Sequence, residues 1–252
     1  HLCERLIRDG HEVIGVDDMS TGRGSNLWSL MKNKAFHLIV GDINELQFNS
    51  MDGVDWVFHL AAKADIVPSI THPLDYHDTN VNGTIRVLEA ARLYKVKRFI
   101  YAASSSCYGI PDDFPTCERA QVRPEYPYAL TKSVGEKYVL HWSRVYGVPA
   151  VSLRLFNVYG PRARTSGTYG AVFGVFLAQL ANNQPITVVG DGEQKRDFTF
   201  VSDVCNAMVL AAESSQTTRM MNIGSGGTYS INHIAKLLGA TDRVELPKRP
   251  GE

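Results

Sequence analysis

The 252-residue sequence has little cysteine, no surplus of charge and no long apolar run. Its four cysteines, Cys3, Cys107, Cys117 and Cys205, show no metal-type spacing, so no metal site is expected. They read as reduced thiols, and a cytoplasmic protein is expected. Lys+Arg and Asp+Glu are equal at 26 each, which gives no electrostatic footprint for nucleic acid or an anionic membrane surface. No stretch approaches the ~18 apolar residues of a membrane span, and no signal peptide is expected. Internal repeats, low-complexity tracts and polar linkers are also missing, so any lobes should pack into one body. What is present is an ordinary globular composition, 44% hydrophobic, long enough for one large core or two modest ones.

The chain starts inside a pattern. His1 to Gly10 is already helical, with Leu2, Leu6 and Ile7 on one side and Gly10 as the stop. The end at Lys248–Glu252 is equally abrupt, so a fragment trimmed at both ends is expected. Strands are predicted at 12–16, ending in Asp17-Asp18, at 35–40, followed by Gly41-Asp42-Ile43, and at 55–60, followed by Ala61-Ala62. A helix over 76–94 carries Val81, Ile85, Leu88 and Ala91 as its apolar stripe. A strand from Arg98 runs into Ser104-Ser105-Ser106. A helix from Pro127 has Leu130, Val134, Tyr138 and Trp142 as its seam, and a strand at 149–155 follows. This βα alternation predicts an α/β fold, a doubly wound parallel Rossmann-type sheet spanning 1–155. Past Arg154 the rhythm loosens into a loop at 156–162, a helix at 169–180 and short strands at 186–189 and 197–200. A helix capped by Ser202, a strand at 220–223 and a helix at 230–238 complete it. These pieces predict a smaller substrate lobe over 156–252, interleaved with the first domain.

The stretch from Ser104 to Lys132 carries the chemistry. Tyr128 and Lys132 are four apart and share one helix face. An ammonium near a phenol favours the phenolate and lowers its pKa. A serine hydroxyl from the strand end can then share a substrate oxygen with that phenol. Such a pair takes the proton from an alcohol while hydride leaves its carbon. Asp17, at a strand tip in a βα repeat, stands where a dinucleotide fold binds the adenosine ribose.

The sequence resembles the extended short-chain dehydrogenase/reductases that act on nucleotide sugars. The matching stretches are Val16-Asp17-Asp18, Gly41-Asp42-Ile43, His59-Leu-Ala-Ala62, Asn80-Val-Asn-Gly-Thr84, Ser104–Gly109 and Tyr128-x-x-x-Lys132. They continue with Leu153–Pro161, Gly190-Asp-Gly-x-x-x-Arg-Asp-Phe198, Asn222-Ile-Gly224 and Arg249-Pro-Gly-Glu252. The resemblance implies NAD as cofactor, held by Asp17, Asp42, Ile43, Leu60, Ala61, Asn80, Tyr128 and Lys132. Arg23, close to Asp17, leaves NADP open as a variant. The family's first strand and glycine-rich phosphate loop are expected before His1. Ser104, Tyr128 and Lys132 are implied as the catalytic set. Ser105, Ser106, Asn157, Arg196, Arg249 and Glu252 are implied to bind a nucleotide sugar, a UDP-hexose being favoured.

Related dehydratases carry acids where this chain has Ser105 and Ser106, so 4-epimerisation through a 4-keto sugar is the implied reaction. A UDP-glucuronate 4-epimerase, an NDP-sugar dehydratase and a non-catalytic dinucleotide-binding protein remain the alternatives. A homodimer is implied, formed by the helices near 76–94 and 127–146.

Overall fold

The computed structural model describes residues 1–45, 51–165 and 172–247. After α1 (Leu2–Arg8), β1 (Val13–Asp17) and β2 (Phe36–Val40) pair in parallel, Val13 opposite Phe36. A four-stranded parallel sheet follows from β3 (Trp56–His59), β4 (Arg98–Ser104), β5 (Ala150–Leu155) and the late strand β10 (Arg219–Ile223), in the order β10-β5-β4-β3. Strands β4 and β5 are buried along almost their whole length, as strands covered on both faces must be. Phe99, Tyr101 and Ala103 face one side, against Leu88 and Ala91 of α4 (Gly83–Leu93) and Val139 of α5 (Pro127–Tyr146). Ile100 and Ala102 face the other, against Val204, Met208 and Ala211 of α7 (Val201–Glu213). Helices on both faces of a parallel sheet make the doubly wound Rossmann-type α/β fold that the alternation predicts. Among the described residues no hydrogen-bonded ladder joins β1–β2 to β3. The two sheets meet through side chains, Leu6, Val13, Phe36 and Val209 packing with Trp56 and Phe58.

Two expectations are corrected here. The helix predicted over 76–94 is compound: α2 (Ile66–Thr71) precedes it, then α3 (Pro73–His77), a π-turn over Asp78–Asn82, and α4. The turn widens where the Thr84 hydroxyl donates to the Asn80 carbonyl at 2.7 Å, inserting a side chain into the backbone ladder. The seam of α5 is also displaced. Its buried residues include Ala129, Lys132, Ser133, Gly135, Glu136 and Val139, while Leu130 is 51% exposed. The helix lies closest over β4 at Gly135, where a Cβ would stand 2.4 Å from the Tyr101 hydroxyl.

In the second half β6 (Asn157–Tyr159) pairs in parallel with β9 (Phe198–Phe200), and β8 (Lys195–Arg196) pairs antiparallel with β11 (Tyr229–Ser230). Strand β7 (Ile186–Val189) pairs in parallel with β12 (Arg243–Leu246), a strand the sequence reading missed. Helices α6 (Val172–Ala181) and α8 (Ile231–Leu237) close a separate core around Phe176, Ile186, Val188 and Ile234. Ser230 caps α8, accepting the His233 N–H at 3.1 Å. Ser202, expected to cap α7, lies inside that helix; the cap position is Phe200. Residues 169–171 of the predicted helix fall outside the described residues.

Candidate active site

Strand β4 ends at Ser104, which also caps the 3-10 turn over Ser105–Tyr108. The Ser104 Oγ accepts the Ser106 N–H at 3.2 Å and the Ser106 hydroxyl at 2.8 Å. Pro127 opens α5, a position for which its fixed φ is suited, and so sets Tyr128 in the first turn. The Tyr128 phenol lies near enough to the Ser104 side chain for that serine to act on its ionisation. Three hydroxyls therefore converge at the carboxyl edge of the sheet, the edge where open α/β folds bind ligands.

The electrostatics differ from the sequence expectation. Burial pushes the Tyr128 phenol up, and the Ser104 side chain opposes it. Lys132 is not the group that offsets this burial. Its ammonium runs beneath α5 to stand 4.4 Å from the centre of the Tyr101 ring. Burial lowers Lys132 to about 7, with the Glu136 carboxylate acting in the opposite direction. Burial likewise lowers His59, at the end of β3, to about 3, and the Lys132 charge adds to the fall. One turn of helix brings the two Cβ atoms to the same face, and the long lysine stem carries the ammonium to the Tyr101 ring of β4.

The sequence reading missed a buried network beneath this site. Arg154 of β5 donates through Nε to both Glu136 oxygens, at 3.1 and 3.0 Å, and Ser152 donates to Oε2 at 2.8 Å. The Arg154 Nη1 donates to the Tyr108 hydroxyl at 2.7 Å, and that hydroxyl donates to Asn222 Oδ1 at 2.7 Å. One chain of contacts thus joins α5, β5, the serine turn and β10. The 128, 132, 136 spacing was the available signal, since it puts all three residues on one face.

The cofactor candidates separate into two groups. Asp17 and Asp42 stand at the ends of the paired strands β1 and β2, accepting the N–H groups of Met19 at 2.7 Å and Asn44 at 2.8 Å. Leu60 is 46% exposed at the end of β3, with Ala61 half-buried beside it. Ile43 and Asn80 are placed otherwise. The Ile43 side chain is buried against Gly83, in the core and not in the crevice, because α4 begins directly over it. The Asn80 amide accepts the Lys63 N–H at 2.8 Å and donates to the Lys63 carbonyl and the Thr131 hydroxyl, each at 3.0 Å. It braces the loop after β3 against α5.

Among the substrate candidates, Asn157 and Arg196 line one cleft with Tyr159, Phe173 and Phe198. Asn157 holds its place by donating to the Asp197 carbonyl at 3.0 Å. Ser105 and Ser106 lie in the serine turn, half-buried. Arg249 and Glu252 lie outside the described residues. Among the described residues no group of three or more His, Cys, Asp or Glu could hold a metal, and no helix is long and apolar enough to cross a membrane.

The chain is 35% identical over 260 residues to the UDP-glucose 4-epimerase of Mycolicibacterium smegmatis, covering 100% of this chain and 83% of that protein. The solved UDP-N-acetylglucosamine 4-epimerase of Methanobrevibacter ruminantium superposes with a TM-score of 0.95 at 31% identity, covering 100% of this chain and 82% of that one. A UDP-glucuronic acid 4-epimerase of Bacillus cereus, solved with UDP-glucuronic acid and NAD, gives 0.91 at 31% identity, with coverage of 100% and 83%. Residues 1–224 match the family described as the NAD dependent epimerase/dehydratase family, and the chain belongs to it.

Proposed function

We propose that this protein is an NAD-dependent 4-epimerase of a UDP-hexose. The observation that carries the reading is the convergence of the Ser104, Ser106 and Tyr128 hydroxyls at the sheet edge, with no carboxylate in the serine turn to drive an elimination. The exposed carboxylate of Asp17 suits an adenosine ribose, and Asp42, Leu60 and Ala61, which follow the ends of β2 and β3, suit the rest of the dinucleotide. A carboxylate at Asp17 favours NAD over its 2′-phosphorylated form. NAD supplies the hydride acceptor and donor for C4.

Tyr128 takes the proton from the C4 hydroxyl, and Ser104 donates a hydrogen bond to the same oxygen. The resulting 4-keto sugar turns about its diphosphate link. Tyr128 then returns the proton as C4 is reduced on the other face, so no net redox change occurs. Arg196 and Asn157 suit the diphosphate end, a guanidinium and an amide meeting phosphate oxygens. Arg249 and Glu252 complete this set by their place in the sequence motif.

A homodimer and a cytoplasmic setting belong to the same reading. Leu93 (63% exposed) on α4 and Val145 (54%) on α5 leave an apolar outer face that a second copy would cover. The test is incubation with UDP-glucose, UDP-N-acetylglucosamine and UDP-glucuronate, with products identified by NMR. A 4-epimer of at least one substrate is expected; a 4-keto-6-deoxy product would assign the dehydratase reaction instead.

A further inference from the structure

Asp65 and Arg164 form an ion pair between two loops of different origin. Asp65 ends the loop after β3, at the edge of the large sheet. Arg164 lies in the loop after β6, on the path into the C-terminal lobe. Asp65 also occupies the N-cap position of α2, where an aspartate ordinarily accepts from the first N–H groups of the helix. It makes no such bond. Its carboxylate, 18% exposed, is committed to the guanidinium instead.

The pair sits by the reacting centre. The Asp65 charge bears on the Tyr128 phenol. Tyr76, buried on α3, feels Asp65, Arg164 and Tyr128 together. Tyr126, two residues before Tyr128, feels the charge of Arg196, which lines the cleft assigned to the nucleotide end. Strands β3, β4 and β5 run parallel, so the loops that carry Asp65 and Arg164 leave the same carboxyl edge at which Ser104 stands. Under the epimerase reading, a sugar with its C4 oxygen at Tyr128 would carry its C6 group toward that pair.

We propose that Asp65 is a specificity-determining residue: by neutralising Arg164 at the sugar end of the site, it restricts the protein to neutral nucleotide hexoses and excludes the corresponding uronates. A C6 carboxylate would enter beside the Asp65 carboxylate, a like-charge approach. To reach Arg164 it would have to break an existing pair and leave Asp65 partly buried without its cation. A hydroxymethyl group meets neither cost. The placement of the sugar rests on the epimerase reading, but the selectivity can be measured without turnover.

The test is competitive binding of UDP-glucose and UDP-glucuronate to wild-type protein and to Asp65→Asn, Asp65→Ser and Asp65→Asn/Arg164→Met, with folding checked by circular dichroism. Wild-type protein should bind UDP-glucose at least about tenfold more tightly than UDP-glucuronate. Asp65→Asn should free the guanidinium and move the ratio toward the uronate by about 10- to 100-fold, the range of a charge-assisted hydrogen bond. The double variant should lose that gain. Equal wild-type affinities overturn the proposal even if no variant folds, and so does an unchanged ratio in Asp65→Asn or Asp65→Ser. If the ratio moves as expected while no sugar is epimerised, the proposed reaction fails and the selectivity stands.

Discussion

Gly135→Ala should damage this protein although alanine is the better helix residue. In an exposed helix the change would stabilise by about 1 kcal/mol. Here the new Cβ would stand 2.4 Å from the Tyr101 hydroxyl, 3.1 Å from its ring carbon and 3.2 Å from the Asn80 carbonyl oxygen. Tyr101 is fully buried between His59 and the Lys132 ammonium, so it has no room to withdraw. Relief requires α5 to lift by about 1 Å, the difference from ordinary contact. Overpacking of this kind costs about 1–3 kcal/mol, which leaves a net loss of up to about 2 kcal/mol after the propensity gain. The lifted helix carries Tyr128, and a 1 Å misplacement of a reacting group costs about 10²-fold in kcat. Tyr101→Phe removes the nearest atom, so Gly135→Ala/Tyr101→Phe should recover part of both losses and show a coupling of about 1 kcal/mol. Urea midpoints and kcat for the single and double variants provide the measurement. A Gly135→Ala protein more stable than wild type, with kcat unchanged, would refute the close packing of α5 on β4.

Tyr128→Phe should lower kcat by about 10²–10⁴-fold while nucleotide-sugar affinity stays near wild type, since the ring and its packing remain; retention of more than a tenth of kcat would remove Tyr128 as the base. Ser104→Ala should cost less, because the Ser106 hydroxyl stands 2.8 Å from the Ser104 Oγ and can take its place. Glu136→Ala leaves the buried Arg154 charge without its carboxylate and should destabilise by about 3–5 kcal/mol, read as a drop in urea midpoint. For His59 the folded pKa of about 3 lies below the ordinary 6.5, so the unfolded chain binds the extra proton. Its contribution is present in full above about pH 6.5 and is lost as pH falls toward 3, with a slope of up to about 1.4 kcal/mol per pH unit. Urea titrations at pH 7 and 4.5 should therefore show a smaller pH loss in His59→Gln than in wild type.

The sequence by itself determined the elements that rest on local chemistry and period. The short, mostly apolar runs at 98–103 and 149–155 fit strands covered on both faces, and their alternation with 3.6-period segments predicts a parallel, doubly wound sheet. Pro127 and the turn glycine Gly147 bound α5 from within the sequence. Ser104, Tyr128 and Lys132 were legible because a strand end and a helix start fix where their Cβ atoms stand.

Tertiary structure decided where the long side chains go. From its Cβ alone the end of the Lys132 stem could not be placed, and the packing of α5 on β4 sets its ammonium 4.4 Å from the centre of the Tyr101 ring. The face of α5 that is buried was likewise settled by how closely the helix approaches β4, a distance that periodicity does not encode. Arg154 and Glu136 are 18 residues apart and Asp65 and Arg164 are 99 apart. No local pattern joins such pairs; each forms only because the fold brings two elements together and leaves a charge with one partner in reach.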